Sequence, residues 1–429
     1  MTGNGNREGD GMRHDFAGFG FGPIQSGLFA AEARRSGRFT DIVISEVDAE
    51  LVAAVRRNGD RYAVNVAGRD GVEARVVEGV RLLNPREPGD RAVLEEQLAK
   101  ATEIVTSLPS VTIFKAGGQD SVAALIARAM QEDSAPAAVV YTAENNNHAA
   151  EILERDVREI SGGGARRRVQ FLNTVIGKMS QVMTDAAEMK IRGLAPIAPG
   201  FPRAFLVEEF NHILVSKIEL AGFRPGIDVF EEKGDLLPFE EAKLYGHNAI
   251  HTLLGFLGQE RGCASMARLR DFPDLMELAR TAFIDEAGAA LIRRHGALQD
   301  RLFTVEGFRA YAEELLARMT NPWLDDAVAR IVRDPLRKLG YGDRVFGPIR
   351  LCLEQGIEPR SLAAGARAGI RSLLRDRSVG DLPVAAEAAT RELTGAELTA
   401  LLQRLWGADF RPVEAERIVR LLLAPAYGR

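Results

Sequence analysis

The densest chemistry in this 429-residue chain lies at Lys243, His247, Asn248 and His251. The run Lys243-Leu-Tyr-Gly-His247-Asn248-Ala-Ile-His251 leads into the apolar Leu253-Leu254-Gly-Phe256-Leu257 and is predicted to be helical. At about 100° per residue the four side chains fall within an arc of roughly 140°. One helix face then offers an amine, an amide and imidazoles. A lysine whose pKa is lowered by burial can take a hydroxyl proton. Amide and imidazole donors can hold the alkoxide that forms as hydride leaves. The set suits alcohol oxidation without a metal. The competing reading is a polar face open to water, with Lys243 an ordinary surface lysine. Zinc at His247 and His251 is a weaker alternative. No glutamate stands between them as in a metalloprotease helix, and Cys263 and Cys352 are the only cysteines.

A second group suits a nucleotide. Gly20-Phe-Gly22-Pro-Ile-Gln25-Ser-Gly27 follows the first expected strand and opens a helix. Glycines there let the backbone turn tightly and approach a pyrophosphate, which the helix N-terminus then holds. Gln25 replaces the third glycine of the usual fingerprint, and an ordinary strand-to-helix turn is the competing reading. About 25 residues further on, Glu46 ends the second strand, where an acid accepts from both adenosine ribose hydroxyls. It would repel the extra phosphate of NADP, so NAD is the expected cofactor. Gly20, Gly22, Gln25, Gly27 and Glu46 form the expected contact set.

These groups need a scaffold, and the chain supplies an alternation of apolar strands and amphipathic helices. Strands are expected over Phe16–Gly20, Ile42–Ser45, Glu103–Thr106, Ala138–Tyr141 and Val169–Leu172, with an extended run over Ala204–Val215. Helices are expected over Ile24–Arg35, Ala49–Arg57, Val122–Met130 and Ala149–Ile160. Such alternation predicts an α/β fold, a Rossmann-like doubly wound domain with a parallel sheet covered on both faces. Helical periodicity then dominates, as in Leu275–Arg294, Val305–Met319 and Leu398–Trp406. The expected organisation is a disordered polar tail over 1–11, a dinucleotide-binding domain over 12–203 and a mostly α-helical catalytic domain over 204–429. The net charge of −5 gives no electrostatic support to a nucleic-acid partner. No apolar stretch is long enough to cross a bilayer, and the polar start lacks the apolar segment of a secretion signal, so a cytoplasmic location is expected. Both a monomer and a homodimer fit.

At this point the residues resemble the mannitol dehydrogenase family, the long-chain polyol-specific dehydrogenases, from about Phe16 to Arg371. The most specific element is Lys243-x4-Asn248-x2-His251, followed by an apolar run and Leu257-Gly258. The others are Asn321-Pro-Trp-Leu-Asp, Arg330-Ile-Val-Arg333-Asp-Pro335-Leu-Arg337-Lys338-Leu339 with Gly342-Asp343-Arg344, Val207-Glu208-Glu209-Phe210, and Glu144-Asn145. The resemblance implies Lys243 as general base, with Asn248, His251 and Asn173 holding the oxyanion. It also implies Asn145 beside the nicotinamide and Glu209 at the substrate pocket. Where the family has an Asp-Arg pair this chain has Gly177-Lys178, which leaves that pocket less braced, and Ile213 stands in place of a tryptophan.

The long basic element is similar to the family's sugar-phosphate branch. On one helix Arg330, Arg333 and Arg337 would share a face, and with Lys338 they could meet a phosphate. The competing reading is a solvated basic face balanced by Asp325, Asp326, Asp334 and Asp343. The resemblance favours the pocket and puts Arg330 and Lys338 near substrate. It implies hydride transfer between NAD(H) and a sugar alcohol phosphate, mannitol 1-phosphate with fructose 6-phosphate being the first expectation. A free polyol 2-dehydrogenase or a hexuronate reductase is an alternative. An NAD-binding sensor with little turnover is another.

Overall fold

The computed structural model describes residues 14–132, 135–163, 167–376 and 379–424. The expected tail over 1–11 lies outside the described residues. The chain divides into two units, Met1–Leu237 and Pro238–Arg429.

The strands of the first unit are β1 (His14–Phe19), β2 (Phe39–Ser45), β3 (Arg61–Ala67), β4 (Val72–Glu78), β5 (Arg81–Leu83), β6 (Glu103–Thr106), β7 (Ala138–Thr142), β8 (Val169–Ile176), β9 (Ser180–Met183), β10 (Ala204–Glu208), β11 (Ile213–Ser216) and β12 (Phe230–Lys233). Eight form one sheet in the order β12-β11-β8-β7-β6-β1-β2-β5. From β8 to β5 every pairing is parallel. Every residue of β6 and β7 is buried, as a sheet covered on both faces requires. The order turns back between β1 and β6, and a doubly wound sheet binds its ligand outside the carboxyl ends of the strands at such a point. The α/β reading therefore holds, with a Rossmann-like first unit.

A second sheet, β4-β3-β10-β9, was not legible in advance. Charges at Arg61, Glu73, Arg75 and Glu78 mask the β3–β4 hairpin, and β4 is largely exposed. The boundary also differs from the expected residue 203. The extended run splits: β10 enters the second sheet, while β11 pairs antiparallel with β8 and parallel with β12. This covers the otherwise open edge of β8 and keeps residues 204–237 in the first unit.

The second unit is helical. The helix Ala249–Glu260 lies close against Arg360–Arg375 because glycines face it: a Cβ on Gly365 would fall 2.8 Å from Leu253, and one on Gly369 would fall 2.9 Å from Phe256. The expected helix over Leu275–Arg294 is present, opened by a wide turn at Ala282–Gly288. Among the described residues, comparable π-type turns occur at Gln25–Ala30 and Lys243–Asn248. Turns of this kind often mark functional positions. No described helix is long and apolar enough to cross a membrane.

Candidate active site

In the first unit, the loop after β1 carries the two leading glycines of the expected nucleotide turn. Gly20 has φ +80°, and a Cβ there would lie 2.6 Å from the carbonyl oxygen of Ser107, so any other residue is both strained and blocked. A Cβ on Gly22 would meet nothing within 4 Å, which leaves its backbone open to a ligand. Glu46 is already aimed: Phe21 N–H donates to Oε2 and Asp48 N–H to Oε1, each at 2.8 Å. These residues line a cavity of about 580 Å³ with Ser107, Leu108, Pro109 and Arg203. Glu144 shapes its wall from behind. The buried carboxylate accepts from Thr106 Oγ1 and from Leu108 N–H, both at 2.8 Å. Asn145, next in sequence, is exposed.

Two expected contacts are corrected. Gln25 is fully buried, does not line the cavity, and has no hydrogen-bond partner on either amide atom. It takes the place where a glycine would let the helix approach the strand, and the room comes from Gly18, whose Cβ would lie 2.1 Å from Gln25 Nε2. Gly27 packs the helix on the second sheet, since a Cβ there would fall 2.8 Å from Val207 and 3.1 Å from Val64. Arg203 was missed. It is the sole cation lining this cavity among the described residues, and its Nη1 lies 3.1 Å from Asp48 Oδ2. It follows β9 in a stretch whose strand pattern gave no reason to bring it there.

Asn173, Glu209 and Lys178 also belong to the first unit. Asn173 Oδ1 accepts from Ala150 N–H and its Nδ2 donates to Glu151 Oε2, both at 2.9 Å, so the amide ties β8 to the helix Ala149–Ser161. Glu209 is exposed, 3.7 Å from Arg75, and lines a different cavity from the one at Gly20 and Glu46. Lys178 does not leave its surroundings loose. The buried ammonium donates to the carbonyls of Glu208 and Phe210 and to Asn211 Oδ1, and so pins the turn between β10 and β11.

In the second unit, Lys243–Asn248 forms the wide turn between the helices Leu237–Ala242 and Ala249–Glu260. Its i→i+5 bonding rotates successive residues by less than the 100° of an α-helix, which changes the expected arc. Burial pushes the Lys243 amine down to about 8; Arg344 adds to this and Glu240 opposes it. Burial also holds His247 well below the usual imidazole range. His251 is pushed down to about 4, again by burial first, with Asp326 opposing. Its Nε2 lies 3.5 Å from Asp326 Oδ2. Both imidazoles are therefore neutral near pH 7, and Lys243 is the group of this turn able to exchange a proton close to that pH. Asn248 is half-buried on the same turn.

The basic stretch is not one helix. Asp334, with φ +55°, separates Val328–Ile331 from Pro335–Lys338. Arg333 is exposed, and Arg337 turns to Asp334 at 2.7 Å. Arg330 is held by the buried Asp326 through both carboxylate oxygens, Nε to Oδ1 at 2.6 Å. Lys338 is different. It is buried, pushed down to about 8 by burial with Arg337 and Arg344, and its ammonium has no hydrogen-bond or ion-pair partner among the described residues. Arg344, whose Nε donates to Asp343 Oδ1 at 2.7 Å, acts electrostatically on Lys243, His247, His251 and Lys338 together. The sequence counts Arg344 in the basic stretch but gives no sign that it acts on Lys243 and the histidines. An anion beside Arg344 would relieve the repulsion it exerts on Lys243 and Lys338.

Residues 235–394 match the family description of the mannitol dehydrogenase C-terminal domain. The chain is 28% identical over 358 residues to a mannitol-1-phosphate 5-dehydrogenase of Pseudarthrobacter chlorophenolicus, covering 82% of this chain and 84% of that protein. It is also 28% identical over 352 residues to the enzyme of the same name from Bacillus licheniformis, covering 81% and 85%. Two solved structures are similar in fold. A substrate-free D-sorbitol dehydrogenase has TM-score 0.72 and 15% identity, covering 96% of this chain and 92% of that one. The Pseudomonas fluorescens mannitol 2-dehydrogenase, in ternary complex with NAD and D-mannitol, has TM-score 0.65 and 16% identity, covering 96% and 91%.

Proposed function

We propose that the chain is a zinc-independent, NAD-dependent polyol phosphate dehydrogenase of the mannitol dehydrogenase family, interconverting mannitol 1-phosphate and fructose 6-phosphate. The observation that carries this reading is a lysine at about 8 on the same wide turn as Asn248, depressed by Arg344, whose charge also acts on the buried Lys338.

The cofactor fits the residues of the first unit. Gly20 permits the tight turn, Gly22 leaves backbone room for a pyrophosphate, and each Glu46 oxygen keeps a lone pair for a ribose hydroxyl after accepting its backbone N–H. Bound NAD supplies the hydride acceptor in oxidation and, when reduced, the hydride donor.

The second unit supplies the proton chemistry. In oxidation the neutral Lys243 Nζ accepts the proton of the reacting hydroxyl as the C–H hydride departs and the carbonyl forms. Asn248 donates to the oxygen while it carries charge, and the neutral His251, beside the Asp326–Arg330 pair, orients it. In reduction the Lys243 ammonium returns the proton. Lys338 and Arg344 meet the phosphate, and Arg330 stays committed to Asp326.

The exposure of Arg333 and Arg337 favours a second reading, a free polyol as substrate, because it leaves fewer cations for phosphate than the sequence promised. Rates with fructose 6-phosphate and fructose under NADH decide between them. The proposal expects a preference for the phosphate that falls at least about tenfold in Lys338→Ala. A parent that prefers fructose, or a variant with unchanged preference, establishes the free polyol. Binding of NADH with no turnover of either would leave the sensor.

A further inference from the structure

We infer that the C-terminal helical hairpin is a positioning element of the substrate site, acting through the short segment that joins Lys338 to Arg344. The inference rests on the reading that those two cations hold the phosphate. The hairpin consists of the helices Gly395–Trp406 and Pro412–Leu423, beyond the residues that match the family domain.

Residues 339–345 form no helix or strand and are held from both sides. On one side is the wide turn that carries Lys243. Tyr245 of that turn donates from its hydroxyl to the Gly342 carbonyl at 3.3 Å, and its ring lies so near Gly347 that a Cβ there would be 2.3 Å away. On the other side is the hairpin. The buried Trp406 donates its indole N–H at 3.3 Å to the carbonyl of Leu339, the residue directly after Lys338. Its ring meets Tyr341 and Phe346 edge-on, with centroids 5.4 and 5.3 Å away.

The second helix of the hairpin adds a charged clasp. The Tyr341 hydroxyl donates to Glu414 Oε2 at 2.9 Å, and Arg350 Nε donates to Glu414 Oε1 at 2.7 Å. Arg350 Nη2 also donates to the Tyr341 oxygen at 2.6 Å, and the guanidinium stacks 3.5 Å over the Tyr341 ring. A hairpin serving only to cover apolar surface would need Leu398, Leu401, Leu402 and Ile418, which it buries. Here it also commits an indole donor and a carboxylate to one loop. A buried ammonium that must meet a phosphate within a few tenths of an ångström needs a fixed backbone beneath it, and loss of that support appears in substrate binding before it appears in chemistry.

The test compares Trp406→Phe, which keeps a ring and removes the donor, with Glu414→Ala, which opens the clasp. Steady-state rates are measured with fructose 6-phosphate, with fructose and with NADH as the varied substrate. The expected result is a KM for fructose 6-phosphate raised about fivefold in the first variant and about tenfold in the second. kcat and the KM values for NADH and fructose should stay within about threefold. An unchanged KM for fructose 6-phosphate in both variants overturns the inference. So does a fall in kcat with all three KM values rising together, since that is the signature of a hairpin that only supports the fold. A parent that turns over no ketose phosphate refutes the underlying reading and this role with it. A working parent whose variants keep its KM refutes the role alone.

Discussion

The guanidinium of Arg344 depresses the basicity of Lys243, adding to the effect of burial that places the amine at about 8. Both groups are held in place within the second unit: Arg344 by Asp343, and Lys243 by the wide turn it begins. The direction of the effect sets a pH profile. With Lys243 as the proposed base, oxidation needs the neutral amine, so its kcat should rise with pH through about 8. Reduction needs the ammonium, and its kcat should fall over the same interval. Arg344→Gln removes a repelling charge and should move both inflections to higher pH. Inflections that stay in place would show that Arg344 has no such influence.

Glu46 is predicted to exclude NADP. Its carboxylate is fixed by the Phe21 and Asp48 N–H groups and lines the cavity where the adenosine ribose would lie. A 2'-phosphate would meet like charge. Glu46→Gln should raise the ratio of NADPH to NADH catalytic efficiency at least about tenfold. A parent that uses both cofactors equally would refute this.

Gln25 is predicted to be replaceable. A fully buried amide with both polar atoms unpartnered costs about 1–3 kcal/mol, and methionine has nearly the same shape without that cost. Gln25→Met should raise the melting temperature and leave the KM for NADH unchanged. Weaker NADH binding in this variant would return Gln25 to the cofactor site.

Much of this was legible because it rests on local pattern. The strands β1, β2, β6, β7 and β8 announce themselves as apolar runs between amphipathic helices, and the Gly20 turn with Glu46 about 25 residues later has a known geometric reason. Lys243, Asn248 and His251 stand out by spacing, with a polar face open to water as the competing reading, and the π-type turn alters the expected arc. What failed depended on tertiary contacts. No periodicity reveals that Asp334 adopts a left-handed conformation and breaks the basic helix, which turns Arg333 outward while Lys338 is buried. Nothing local shows that Gly18 makes room for Gln25, or that Arg203 reaches the cavity at Glu46. The position of residues 204–237 was misjudged for the same reason, since strand partners, not composition, assign β11 and β12 to the first unit.

The most direct test of the account is the rate of NADH consumption with fructose 6-phosphate, measured for the parent beside Lys243→Ala, with NADH binding followed by its fluorescence in both. The prediction is measurable turnover in the parent and a loss of at least about a hundredfold in the variant, the low end for losing a general acid or base. NADH binding should be unchanged, because the proposal has Lys243 act on the substrate. A variant that keeps most of the parent's activity, or a parent that binds NADH and consumes none, would contradict the assignment.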